Sequence, residues 1–183
     1  MNRTEPSPWV VRFAPLVPAG AAVLDLACGA GRHTRLFVER GHAVTAIDRD
    51  LTDLGDFATE PAVEAIVADL ENGPWPLGRR AFAGVVVTNY LHRALFADIA
   101  RAVAPGGVLI YQTFARGNEA YDKPRNPDHL LEPGELLAAF GGEFCVVAYE
   151  HGYQDRPRPS VVQRLCALNP ENGQAPLAPP LDP

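Results

Sequence analysis

The stretch Val23-Leu24-Asp25-Leu26-Ala27-Cys28-Gly29-Ala30-Gly31-Arg32 decides how this chain folds. A short apolar run, Ala22 to Ala27, enters a turn with glycines at 29 and 31. A helix-like segment follows from Gly31 to Arg40, with His33, Leu36 and Phe37 at helical spacing and Gly41 as its stop signal. A strand feeding a glycine turn and then a helix is a ligand-binding device. Glycine lets another molecule approach the backbone closely, and the first helical turn offers N–H groups without intrahelical partners.

Outward from this unit the pattern repeats. Ala43–Asp48, Val63–Asp69, Phe82–Asn89 and Val108–Phe114 read as further strands, with helical stretches at Leu51–Thr59 and Ala94–Val103 and a turn at Pro105-Gly106-Gly107. Strands apolar on both faces and alternating with helices predict a parallel sheet covered on each side, wound both ways from the first strand. The last third changes character. Pro133–Phe140 reads as a helix, and Glu143–Glu150 and Val161–Leu168 as two strands joined by a polar loop of about ten residues with no helix between them, so they pair antiparallel. The expected organisation is one domain over 1–168, with 1–20 lying over the ligand site, followed by a Pro-rich disordered tail at 169–183, where five of the last fourteen residues are proline.

Composition narrows the function. The net charge is −6, which disfavours a protein that grips nucleic acid over a broad basic face. The longest uncharged, mostly apolar run, about Ala81 to Leu91, is too short to span a bilayer, and no apolar signal core precedes Trp9, so a cytoplasmic protein is expected. Cys28, Cys145 and Cys166 lack CxxC spacing and do not make a zinc site; no metal is expected.

The acids at the strand ends specify the ligand. Asp48 lies 19 residues after Gly29, where a carboxylate can accept hydrogen bonds from both ribose hydroxyls; Asp69 ends the next strand in the same way. Each also reads as a cap of the following turn. A dinucleotide fits poorly. Its fingerprint wants a third glycine where Thr34 stands, and the Asp25 carboxylate beside the turn repels a pyrophosphate while accepting a hydrogen bond from an ammonium group. A ligand with adenine, ribose and a cationic amino-acid arm fits better, which describes S-adenosylmethionine.

From Val23 to Leu168 the chain resembles the class I S-adenosylmethionine-dependent methyltransferases. VLDLACGAG, the Asp48 of VTAIDRD, the Asp69 of IVADL, FAGVVVTNYLHR and APGGVLIYQTF match that family's motifs in order, and the closing hairpin is similar to its antiparallel sixth and seventh strands. The resemblance implies a Rossmann-like α/β fold with a mostly parallel seven-stranded sheet, and S-adenosyl-L-methionine as cofactor. It implies that Asp25 and the backbone of Ala27, Cys28, Gly29 and Gly31 hold the methionine arm. Asp48, with Arg49 beside it, would hold the ribose, Asp69 and the Leu70 backbone the adenine edge, and Asn89 would stand near the sulfonium. It is most similar to small stand-alone bacterial enzymes, including those related to tellurite resistance.

Acceptor residues are expected on the loops after the fourth and fifth strands. His92 and Tyr90 are the catalytic candidates, His92 as a base that titrates near neutral pH and equally as a helix-start residue. Ala115–His129, long and polar, reads as a lid that brings Tyr121, Lys123 and Arg125 to a small, anionic acceptor with an O, N or S nucleophile. Trp9 and Phe13 fold over the cofactor or pack in the core. RNA or protein methylation through a patch of Lys123, Arg125, Arg156 and Arg158, or a non-catalytic cofactor-binding subunit, are the alternatives.

Overall fold

The computed structural model describes residues 5–171. Seven strands form one sheet: β1 (Val23–Leu26), β2 (Val44–Asp48), β3 (Val63–Val67), β4 (Phe82–Thr88), β5 (Val103–Phe114), β6 (Cys145–Gln154) and β7 (Ser160–Leu168). Their spatial order is β3-β2-β1-β4-β5-β7-β6. The first five strands pair in parallel, whereas β7 runs antiparallel to both β5 and β6. This is the expected fold, and the order reverses between β1 and β4, where such sheets open a crevice at their carboxyl ends.

β1, flanked on both sides, is buried along its whole length, as are Val85, Val86 and Val87 of β4. One face of the sheet packs Leu24, Leu26, Val85, Val87, Leu109 and Tyr111 under α3 (Phe96–Ala102) and α4 (Glu135–Phe140). The other packs Val23, Val44, Val86 and Ile110 under α1 (Pro8–Phe13) and α2 (Arg32–Glu39). Period-2 alternation sends successive side chains to opposite cores, so a central strand is apolar on both faces except where a buried polar group such as Asp25 finds a partner.

Several expectations shift. α1 was not anticipated, although Ser7-Pro8 carries its start signal: the Ser7 hydroxyl accepts from the Trp9 N–H, and Pro8 needs no N–H at the first helical position. Trp9, Val10 and Phe13 are buried in the core, which is the packing reading of Trp9 and Phe13. Pro105–Gly107 is not a turn between helix and strand. It is an irregularity inside a longer β5, where the register with β4 shifts between Phe82 and Gly84. The β6–β7 connection is only 155–159, because both strands run further than their apolar cores. Asn169 accepts from Gly106 N–H and donates its own N–H to the Gly107 carbonyl, tying that residue to the sheet. From 172 onward the Pro-rich stretch lies outside the described residues.

Candidate active site

The glycine turn joins β1 to α2 at the crevice. Gly29 and Gly31 have φ of 55° and 70°, and Ala27 shares the left-handed region at 55°, an uncommon conformation for a residue with a Cβ. Left-handed residues on both sides of Cys28 fold the backbone back on itself. The Cys28 side chain packs against Ala46 and Leu54, and burial pushes its thiol far above the ordinary range, so it contributes structure, not reactivity.

Two carboxylates organise the turn from behind and from the side. Asp25 is 1% exposed and accepts a hydrogen bond from the Thr34 hydroxyl at 2.7 Å. The side chain at the third-glycine position thus fills the space between β1 and α2. Burial pushes the Asp25 carboxyl up to about 6, opposed by the Thr34 hydrogen bonds and the Arg32 charge. At the end of β2, Asp48 Oδ2 accepts from Gly29 N–H at 2.8 Å and Oδ1 from Asp50 N–H at 3.2 Å, which fixes the turn relative to β2. Asp69 caps the turn after β3 through Glu71 N–H, Asn72 N–H and the Asn72 amide, and these bonds lower its carboxyl.

A groove of about 450 Å³ runs over these strand ends. Ala27, Asp48, Arg49, Asp69, Leu70, Asn89 and Tyr90 all line it, so most of the residues named from the sequence for the cofactor converge there. Asp25, Cys28, Gly29 and Gly31 do not line it; they form the support beneath. Tyr90 presents a hydroxyl that is buried with no hydrogen-bond partner, pushed up to about 12 by burial and by the neighbouring acids Glu71, Asp69 and Asp48. Such a group costs about 1–3 kcal/mol unless something satisfies it.

His92 is not in the groove. Its backbone precedes a 3-10 turn, Arg93–Leu95, and its side chain lies in a shallow outer depression with Glu71, Arg93 and Asp128. His129 reaches the groove instead. His92→Ala is therefore expected to leave S-adenosylhomocysteine affinity within about twofold of wild type by calorimetry. A tenfold loss would return His92 to the site.

Tyr121, Lys123 and Arg125 are also displaced. The segment after β5 is pinned, not a loose lid. Asn118 is fully buried, its amide donates to the Asp122 and Pro124 carbonyls, and its carbonyl accepts from Val161 N–H. That turn sends Lys123 and Arg125 to an open outer depression and leaves Tyr121 half exposed, 5.0 Å from the Tyr153 ring.

A second cavity, of about 340 Å³, opens beside the groove between the start of α1, α2, β5 and the β6–β7 turn. Arg32, Arg156, Arg158 and Arg164 line it, with Gln112 and Asn89 among the neutral groups. Asn89 lines both spaces. Its φ of 55° follows directly on β4, and its N–H donates to the Gln112 carbonyl. Beneath, a buried polar network escaped the sequence reading. Ser7 N–H donates to His33 Nε2 at 3.1 Å, His33 Nδ1 faces the Thr88 hydroxyl at 3.3 Å, and Ser7 Oγ donates to Gln112 Oε1 at 2.7 Å. Burial holds His33 neutral, down at about 3. Only its spacing from Thr88 and Gln112 across the sheet would have revealed it, and that spacing is tertiary.

A doubly wound sheet with a glycine turn after β1, acids ending β2 and β3 and a closing antiparallel hairpin defines a nucleoside-binding α/β domain of the methyltransferase type. Comparison with known proteins agrees. Residues 23–107 match the family model described as "Methyltransferase domain". The chain is 34% identical over 141 residues to trans-aconitate 2-methyltransferase of Rhizobium meliloti (strain 1021), covering 74% of this chain and 49% of that protein. It is 34% identical over 136 residues to malonyl-[acyl-carrier protein] O-methyltransferase of Serratia marcescens, covering 71% and 48%. The chain thus spans about half the length of these curated relatives. Its fold matches a SAM-dependent methyltransferase of Methanosarcina mazei with a TM-score of 0.70 at 13% identity, over 91% of this chain and 99% of that one. Residues 23–107 thus carry a methyltransferase domain, and the fold around them supports a class I S-adenosylmethionine-dependent methyltransferase. No helix among the described residues is long and apolar enough to cross a membrane.

Proposed function

We propose that this protein transfers a methyl group from S-adenosylmethionine to a small-molecule acceptor in the cytoplasm. The observation that carries the reading is Asn89, the one residue among the described residues that lines both the groove and the arginine cavity. A donor in one space and an acceptor in the other meet at that side chain. The curated relatives support a small-molecule acceptor, one being named for trans-aconitate.

The groove fits the cofactor on its own chemistry. It offers a carboxylate for a vicinal diol at Asp48 and a second acid at Asp69, with Arg49 and the Leu70 backbone beside them. The partnerless Tyr90 hydroxyl awaits a polar group. In this reading the Ala27–Gly31 backbone holds the amino-acid arm, with Cys28 and Gly29 contributing main chain only, Asp25 acts on it from beneath through its charge, and Asp48 orients the ribose. The bound cofactor supplies an electrophilic methyl on a cationic sulfur. The protein's task is then alignment and exclusion of water: Asn89 fixes the junction, and Gln112, held by Ser7, shapes the floor.

Asp25 gives a pH test. Burial raises its carboxyl to about 6, and its ionised form, beneath the turn, favours a cationic amino-acid arm above it. Affinity for S-adenosylhomocysteine should fall about tenfold between pH 7 and pH 5 as Asp25 takes up its proton. The groups acting on it are Thr34, Arg32 and Asp48. Asp25→Asn should bind more weakly at pH 7 and show a flat response over the same range. A wild-type affinity that does not move with pH, or a variant that follows the same slope, would show that the Asp25 charge does not act on the ammonium arm.

A further inference from the structure

Resting on the methyl-transfer reading, we infer that the arginine cavity is a polyacid site: the acceptor carries at least two carboxylates, one anchored by arginine and another that takes the methyl group as an ester. Four guanidinium groups converge there from three separate elements, Arg32 from α2, Arg156 and Arg158 from the β6–β7 connection and Arg164 from β7. This happens in a chain whose net charge is −6. The only acid among the lining residues is Glu5, at the exposed rim.

The arginines are held in place rather than used up. Asp122 pairs with Arg158 at 2.8 Å and Glu150 with Arg164 at 2.8 Å, and neither acid lines the cavity. Arg158 also lies over the Phe114 ring at 5.2 Å, and Arg164 over Trp9 at 5.9 Å, which fixes the planes of both forks. Arg32 and Arg156 make no ion pair among the described residues, and Arg164 Nε is buried without a hydrogen-bond partner. Burial lowers Arg32, the Arg158 charge adds to this, and Asp25 opposes it; a bound anion relieves the repulsion between the two guanidiniums. Planar guanidinium forks match carboxylates bidentately.

The second carboxylate follows from the lack of a buried base. Among the described residues the cavity has no histidine, cysteine, lysine or tyrosine in its lining, and its one carboxylate, Glu5, stands at the exposed rim. His33 below it accepts from Ser7 N–H at Nε2, so its proton sits on Nδ1 toward Thr88 and no lone pair remains for an acceptor. An alcohol or an ammonium group needs to lose a proton to attack; a carboxylate arrives as an anion. A carboxylate neutralised by arginine is a poor nucleophile, so the anchoring acid and the reacting acid are different groups. The lone pair of the reacting carboxylate oxygen, at the Asn89 end, forms the O–CH3 bond as the S–CH3 bond breaks. The bonding pair stays on sulfur, leaving a neutral thioether and a methyl ester, and no proton moves.

The test has two readouts. Calorimetry measures S-adenosylhomocysteine binding first, and then binding of succinate, glutarate, fumarate and tricarballylate to the saturated protein. Turnover with methyl-labelled donor is run with each acid, and with butyrate, glycerol, an amine and a thiol. The expected result is a di- or tricarboxylate that binds and yields base-labile label, released as methanol at high pH. Arg156→Gln should weaken that acid at least tenfold with S-adenosylhomocysteine affinity unchanged, and Arg158→Gln serves as the second variant if the first fails to fold. Cofactor binding with no polyacid bound, or base-stable label on an alcohol, amine or thiol, overturns the polyacid site alone. Loss of cofactor binding in the folded wild type overturns the methyl-transfer reading beneath it.

Discussion

Asp48→Ala should bind S-adenosylhomocysteine at least about 100-fold more weakly than wild type, with a thermal transition lowered by about 3–10 °C through the lost bond to Gly29 N–H. The side chain holds two positions at once. Through Oδ2 it accepts from Gly29 N–H at 2.8 Å and so sets the height of the glycine turn, and it lines the groove where a ribose would lie. Hydrogen bonds to a charged group are worth roughly 1.5–3 kcal/mol each, so losing contacts to both ribose hydroxyls exceeds about 3 kcal/mol, which is more than a hundredfold. Asp48→Asn keeps an oxygen for Gly29 N–H and can still meet a hydroxyl, so about a tenfold loss is expected. Calorimetric titration of the three proteins decides it; equal affinities would take Asp48 out of the binding site.

Gly31→Ala carries the largest expected cost to stability. Its φ of 70° disfavours any L side chain by roughly 1–2 kcal/mol, and an added Cβ would stand 2.1 Å from Leu54 Cδ1. Leu54 is itself buried against Cys28 and Ala46, so it cannot swing into solvent, and such overpacking costs about 1–3 kcal/mol more. A fall in Tm of about 5–15 °C follows for a domain of this size. Gly29→Ala is the control. Its φ is also positive, at 55°, but nothing lies within 4 Å of the added carbon, so only the backbone cost of about 1–2 kcal/mol remains. If the two variants melt together, the Leu54 contact is not what demands glycine.

Why these features were legible in the sequence and others were not is a matter of range. The strands of the parallel half, the glycine turn and the acids at 48 and 69 are local signals, because an apolar run and the residue that ends it are neighbours in the chain. Thr34 in place of a third glycine was informative for the same reason, and its hydroxyl is bonded to Asp25 in the space a glycine would leave open. The arginine cavity was not legible as a cavity. Arg32 and Arg164 are far apart in sequence and come together only because β7 inserts between β5 and β6. Arg156 and Arg158 were grouped with Lys123 and Arg125 as one patch, but the buried Asn118 turns the latter two outward. His92 followed the motif by number and missed by direction, since the chain turns over at the 3-10 segment after it.

The sheet order also separates two duties along the molecule. The residues proposed for the donor belong to β1, β2, β3 and the loops that follow them, and the arginines of the β6–β7 hairpin sit beyond β5, with Asn89 at the join. Among the described residues no hydrogen bond joins the β6–β7 connection at 155–159 to the glycine turn, although Arg32, which opens α2, feels the Arg158 charge. In the proposed reading the rim is therefore modular: exchanges within those five residues would retune the acceptor while the turn keeps its own contacts.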